Sequence, residues 1–156
     1  MCDKVIKPAT KAKRTSFVEL VAFAPQLPKW FVSHWWGEPV LDFIKCTEEH
    51  AQVRELGEGA CYWVCAYANN QHDLASVNAP TLEETSFYKA LKLAEGTVSI
   101  LDRNGVVFSR VWCCYEIYVS LAEMGGRLKY EVYTAHEHTY VDFAGCLLYT
   151  SDAADE

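Results

Sequence analysis

The chain is predicted to form an open α/β sheet with parallel strands and helices on both faces. Short apolar runs alternate with helical periods from Lys29 onward. One of those runs, 60–67, is apolar on both faces, as a strand buried in a parallel sheet is, and 97–101 reads as another buried strand. The composition agrees: 156 residues, 51% hydrophobic and 22% charged, hold enough apolar matter for one globular domain and too much for a disordered chain.

Taken in order, Trp30 to Ser33 reads as a first strand and His34-Trp35-Trp36-Gly37-Glu38 as a loop. Pro39 stands where a helix tolerates proline, in its first turn. Val40, Leu41, Phe43, Ile44, Ala51 and Leu56 carry that helix, and Gly57 and Gly59 end it. The run 60–67 is expected as a central strand, followed by a polar loop over 69–80. Thr81 with Glu84 or Ser86 offers a helix start before Phe87, Ala90, Leu91 and Ala94, spaced i, i+3, i+4, i+7. Gly96 closes that helix, 97–101 is a third buried strand, and Asp102-Arg-Asn-Gly105 is a turn by residue type. Ser109 is a good N-cap for a helix with Val111, Cys114, Ile117, Tyr118, Leu121 and Met124 on one side. Gly125-Gly126 stops it, and 128–134 alternates as a half-buried or edge strand does. Strand and helix in alternation, with right-handed crossovers, predict a flavodoxin-like sheet.

The two ends differ from this body. Residues 1–29 are expected to be a basic flexible arm and an apolar lead-in: Lys4, Lys7, Lys11, Lys13 and Arg14 lie among small polar residues, and 17–28 is more apolar. Five charges without aromatics carry little specificity, so nucleic acid is not an expected partner. The eleven residues 146–156 resemble the translation of a sequencing adapter and are set aside as a non-native tail. The domain is then expected to span 30–145 and to be incomplete at its C-terminus. No apolar run reaches the roughly 18 residues of a spanning helix, and the first residues lack a secretory apolar stretch, so a cytoplasmic location is expected. Seven cysteines are an odd number without paired spacing, which reads as reduced thiols. No C-x-x-C occurs, and His136 and His138 have no cysteine pair nearby, so no metal is expected.

In an open parallel sheet, ligands bind at the carboxyl ends of the strands. The loops 33–38, 69–80 and 102–112 are therefore the candidates, holding Ser33, His34, Trp35, Trp36, Glu38, Asn69, Asp102, Arg110 and Trp112, with Glu116 just beyond. There is no G-x-G-x-x-G after the first strand and no P-loop. Asp102 lacks the acidic partners a phosphoacceptor aspartate needs for magnesium. A Cys-His hydrolase built on His34 with Cys113 or Cys114 is a further reading; Ser33 and His34 point to opposite sides of a strand and are poorly set up as a pair.

Phe31-Val-Ser-His-Trp-Trp-Gly-Glu38 resembles the opening strand and loop of Toll/interleukin receptor (TIR) domains. Ser109-Arg-Val-Trp-Cys-Cys-Tyr-Glu-Ile117 is similar to that family's third-helix motif. The likeness covers about 30–134. This chain departs from the family in its first loop, which is one residue longer. The resemblance implies an intracellular signalling domain that assembles as a homo-oligomer or with other TIR-like domains. Some members hydrolyse NAD to nicotinamide and ADP-ribose products, with no bound prosthetic group, and their catalytic glutamate falls here on Glu116. Ser33, His34, Trp35, Trp36, Asn69 and Trp112 are the expected lining of the dinucleotide site. One of Trp35 and Trp36 is expected in the cleft and the other against the neighbouring loop. A carboxylate near the ribose would stabilise an oxocarbenium-like state, as in glycoside hydrolysis. The alternatives stay open: Glu116 as a surface glutamate near a helix N-terminus, Trp112 as a core residue, and the whole domain as a non-catalytic scaffold.

Overall fold

Strand β1 (Trp30–Ser33) is buried along its whole length between two parallel neighbours, β2 (Tyr62–Val64) and β3 (Gly96–Ile100). A computed structural model describes residues 2–75, 77, 79–123, 127–135, 139–142 and 147–150. β4 (Lys129–Tyr133) continues the parallel sheet beside β3, and β5 (Thr139–Asp142) and β6 (Leu147–Thr150) extend it antiparallel, in the order β2-β1-β3-β4-β5-β6. The four parallel strands form the expected flavodoxin-like α/β sheet. Of the eleven-residue tail only β6 is described.

The helices are α1 (Lys7–Thr10), α2 (Phe17–Val21), α3 (Val40–Val53), α4 (Cys65–Ala68), α5 (Ser86–Leu93) and α6 (Val111–Tyr118), the last continued by a π-helical turn at Val119–Glu123. None of the described helices is long and apolar enough to cross a membrane. Side chains alternate across a strand, so β1 serves two cores. Trp30 and Val32 pack with Cys46 of α3, Val64, Val98, Ile100 and Tyr133. Phe31 packs on the opposite face with Phe87, Ala90 and Leu91 of α5 and with Val119. Burying one such large apolar side chain is worth about 1.5–3 kcal/mol.

α3 is also tied to the sheet by polar contacts. Glu131 of β4, wholly buried, pairs with the Arg54 guanidinium and lies 3.4 Å from His50 Nε2. His50 Nδ1 is 2.6 Å from the Tyr62 hydroxyl, and its ring meets Trp30 edge-on at 4.3 Å. β4, expected as a half-buried or edge strand, is an inner strand because β3 and β5 pair with its two sides. Its glutamate looks like a solvent position in the sequence, but a guanidinium seats it in the core.

Several elements differ from expectation. The run 60–67 is a three-residue strand followed by α4, and it lies at the sheet edge, not at its centre. Trp63 stacks on Phe31 at 4.8 Å while Tyr62 bonds to α3, so the run is apolar because both sheet faces are covered. Edge or centre is decided by hydrogen bonding in the sheet plane, which side-chain character does not report. Pro39 is the N-cap of α3 rather than a first-turn residue. The helix start near Thr81 is a separate 3-10 turn at Leu82–Glu84, and Thr85 caps α5 through its hydroxyl. Ser109 does not cap α6: it closes the 3-10 turn Val106–Ser109 by donating to the Val106 carbonyl, and Arg110 takes the cap position. The Gly125-Gly126 stop lies outside the described residues.

The basic N-terminal segment is helical and docked rather than a solvated arm. Ile6 and Thr10 are buried, and the Thr10 hydroxyl lies 2.9 Å from His72 Nε2. The Asn70 amide donates to the Arg14 carbonyl, and Phe17 packs on Tyr67 at 5.7 Å. Ser16 and Glu19 form a reciprocal capping box on α2.

Gly96 opens β3 where Trp30 crosses it. A Cβ there would meet Trp30 Cζ3 at 2.3 Å and the Lys129 carbonyl oxygen at 2.8 Å. Gly96→Ala is therefore expected to destabilise the fold by about 1–3 kcal/mol. A urea midpoint equal to wild type would refute the close approach.

Candidate active site

Strand order reverses beside β1, whose crossover to β2 runs one way and whose other neighbour β3 is reached by returning past it. A cavity of about 220 Å³ opens at this point. β1 and its loop supply Val32, His34 and Trp36, the end of β2 supplies Cys65, and the following connection and α5 supply Val77 and Phe87. The start of α6 supplies Arg110, Trp112, Cys113 and Glu116.

Glu116 is the most constrained polar group there. Ser33 shares the face of Phe31, so its hydroxyl points to α6, where it donates a 2.5 Å hydrogen bond to Glu116 Oε2. Ser33 is in register with Ser99 on β3, and Ser99 is 2.7 Å from the Tyr130 hydroxyl. Two serines side by side leave room between sheet and helix for a carboxyl. Glu116 is only 9% exposed, and burial pushes its pKa up to about 7, against the opposing pulls of the Ser33 hydroxyl and the Arg110 guanidinium. A surface glutamate is thereby excluded. The carboxyl changes charge near neutrality, as a group that exchanges charge with a substrate should.

The indoles divide. Trp36 lines the cavity and is 48% exposed, while the Trp35 ring folds back over Gly37 in its own loop. Trp112 lines the cavity one helical turn before Glu116 and meets Phe87 edge-on at 5.1 Å. It is 47% exposed, so it is not a core residue.

His34 turns to the other side of the sheet from Ser33, with its ring centroid 4.9 Å from that of Phe43 on α3. Burial drives its imidazole down to about 4, against a weaker pull from the Trp35 backbone, so the ring is neutral. Glu38, 9% exposed, is pushed up to about 7 by burial and by the charges of Asp102 and Asp42. The Cys113 thiol faces the His34 carbonyl oxygen at 3.9 Å, not the ring, and burial pushes it up to about 11. A Cys113-His34 nucleophile pair therefore lacks both contact and thiolate.

Of the expected site residues, the structure gathers His34, Trp36, Trp112 and Glu116 around one cavity, with Ser33 behind Glu116. Asn69 sits one layer out, its amide 3.3 Å from the Cys65 sulfur, and Trp35 does not line the cavity. Phe87, Val77 and Cys65 join the lining without a sequence mark of a site. Phe87 reads only as an apolar helix position, and no local signal marks Val77. Cys65 is hidden in a run that reads as strand. Arg110 and Glu38 stood among the loop polar groups without a distinguishing mark. Among the described residues no three His, Cys, Asp or Glu side chains are placed to hold a metal ion, and the six described cysteines are free. His136 and His138 lie outside the described residues. Comparisons of the chain with protein-family models, with curated proteins and with solved structures return no match.

The buried carboxyl of Glu116 has a stability signature. Its folded pKa lies above the ordinary 4.5, so its stabilising contribution is full below about 4.5 and is lost as pH rises through about 7. Glu116→Gln is expected to raise stability over wild type more at about pH 8 than at about pH 5, read from urea melts at both values. The same difference at both would contradict a raised carboxyl.

Proposed function

We propose that the cavity binds the nicotinamide-ribose end of NAD and hydrolyses the bond between them, with Glu116 as the catalytic residue. The observation that carries this reading is a single buried carboxyl, held by one serine hydroxyl, facing a cavity walled by Trp36, Trp112 and Phe87. The TIR-like motifs that contain Ser33 and Glu116 support it. A cavity of about 220 Å³ is smaller than the roughly 300–1,000 Å³ of a drug-sized site, so it suits a ring and part of a sugar. The diphosphate and adenosine would lie toward the exposed Arg110 at the mouth, whose guanidinium suits phosphate oxygens.

In this reaction the bond from ribose C1′ to the pyridinium nitrogen breaks with both electrons going to the ring, which leaves as neutral nicotinamide. Water bonds to C1′ and releases a proton to Glu116 or to solvent. The ionised carboxylate stabilises the positive charge that builds on the ribose. A dry, aromatic wall strengthens that interaction and accommodates the flat leaving group.

Nicotinamide release from NAD is expected for the wild-type chain and a loss of about a hundredfold or more for Glu116→Ala. Because Glu116 must be ionised, kcat/KM should rise with pH through about 7 and then level off. In the complex the pyridinium charge favours the carboxylate, so the kcat limb should sit at lower pH. Equal turnover by Glu116→Ala would remove this residue as the catalyst. The rival reading, a non-catalytic interaction module, is favoured by the apolar outer side of α6 and its continuation, where Val111, Tyr118 and Leu121 are exposed. Absence of turnover in both dilute and self-associated protein would favour it.

A further inference from the structure

Beside the main cavity lies a smaller one of about 50 Å³, lined by Glu38, Val40, Phe43 and Tyr67 and sharing His34 and Trp36 with its larger neighbour. Among the described residues Glu38 Oε2, a buried atom of its lining, has no hydrogen-bond partner, and the buried ring nitrogens of His34 have no side-chain partner, only a weak approach of the Trp35 backbone. Buried polar atoms of native proteins are almost always paired, so unpaired donors and acceptors gathered around one small space suit it to take up a polar group. We propose that this annex receives the carboxamide of a nicotinamide ring lying against Trp36, and that Glu38 and His34 select the amide over the corresponding carboxylate.

The inference rests on reading the main cavity as a nicotinamide-dinucleotide site, and it names what recognises the leaving base. A primary amide offers two N–H donors and a carbonyl acceptor. A neutral imidazole offers one donor and one acceptor, and so does a protonated carboxyl, which makes the three groups complementary. Burial keeps His34 neutral and holds Glu38 largely protonated below about 7. A carboxylate in the same place would be an acceptor only, brought among Glu38, Asp102 and Asp42, whose negative charges already disfavour one another. The space fits: it exceeds the roughly 10–15 Å³ that one water needs, and it is too small for a ring. Trp36 borders both cavities, so a ring stacked on it from the larger one can direct a substituent into the smaller.

The test is binding of free nicotinamide, nicotinate and pyridine to the full chain at about pH 6, followed by tryptophan fluorescence and ligand-observed NMR. Nicotinamide should bind, with nicotinate and pyridine at least about tenfold weaker. Glu38→Leu should reduce nicotinamide to the level of pyridine, whereas Glu38→Gln, which keeps a donor and an acceptor, should retain most of the preference. His34→Ala, at an independent position, should give the same collapse as Glu38→Leu, so misfolding of one variant does not decide the result. No nicotinamide binding at millimolar concentration, equal binding of nicotinamide and pyridine, or a preference that survives Glu38→Leu in a folded variant would overturn the proposal. Turnover has no part in the readout. Amide selectivity without NAD hydrolysis would remove the catalytic reading and leave the annex standing, and hydrolysis without Glu38-dependent selectivity would remove the annex alone.

Discussion

The strict alternation of side chains along β1 is the constraint from which the rest follows. Four consecutive buried residues flanked by strands on both sides leave no solvent face, so each residue must be matched to one of two helical layers. Trp30 and Val32 go to α3, and Phe31 and Ser33 go to α5 and α6. The strand ends where the alternation brings a hydroxyl to one layer and, one residue later, an imidazole to the other. The candidate site is therefore split across the sheet edge by geometry: Ser33 and Glu116 on one side, Glu38 on the other, with His34 and Trp36 bordering both cavities.

Two deeply buried carboxyls show how partners decide the role of a charged group. Glu131 is met by a guanidinium and lies against an imidazole, so its burial joins α3 to β4. Glu116 accepts from the Ser33 hydroxyl and feels the Arg110 guanidinium more weakly, and burial carries its pKa up to about 7. The first arrangement is a structural joint. The second leaves a carboxyl beside a cavity with its charged form disfavoured by burial, which costs stability when it ionises and is the kind of local conflict found where a protein must respond to a ligand. Glu38, whose Oε2 has no partner among the described residues, is likewise pushed up to about 7 by burial and by nearby carboxylates.

Much of the fold was legible because the relevant signals are local. β1 and α3 declare themselves through an apolar run and a helical period, and the motif residues Ser33, Trp36, Trp112 and Glu116 all fall at the carboxyl ends of strands or just after them. The errors share one cause. β2 reads as central because apolar residues on both faces say nothing about hydrogen bonding in the sheet plane. β4 reads as half-buried or edge because its run alternates, and Glu131 reads as a solvent position although Arg54, 77 positions earlier, meets it in the core. The N-terminal segment reads as a charged arm because its few anchoring residues, Ile6 and Thr10, are spread among lysines.

By itself the sequence determined the class of sheet, the elements that carry it and the loops where a ligand would bind, since periodicity and turn chemistry are properties of neighbouring residues. Only the tertiary structure decided that Glu116 is buried rather than exposed, that Trp36 and not Trp35 borders the cavity, and that Glu38 lines a smaller cavity beside it. Those outcomes depend on desolvation and on partners remote in the chain. The serine that holds Glu116 is 83 residues away from it, and no local pattern encodes a contact of that span.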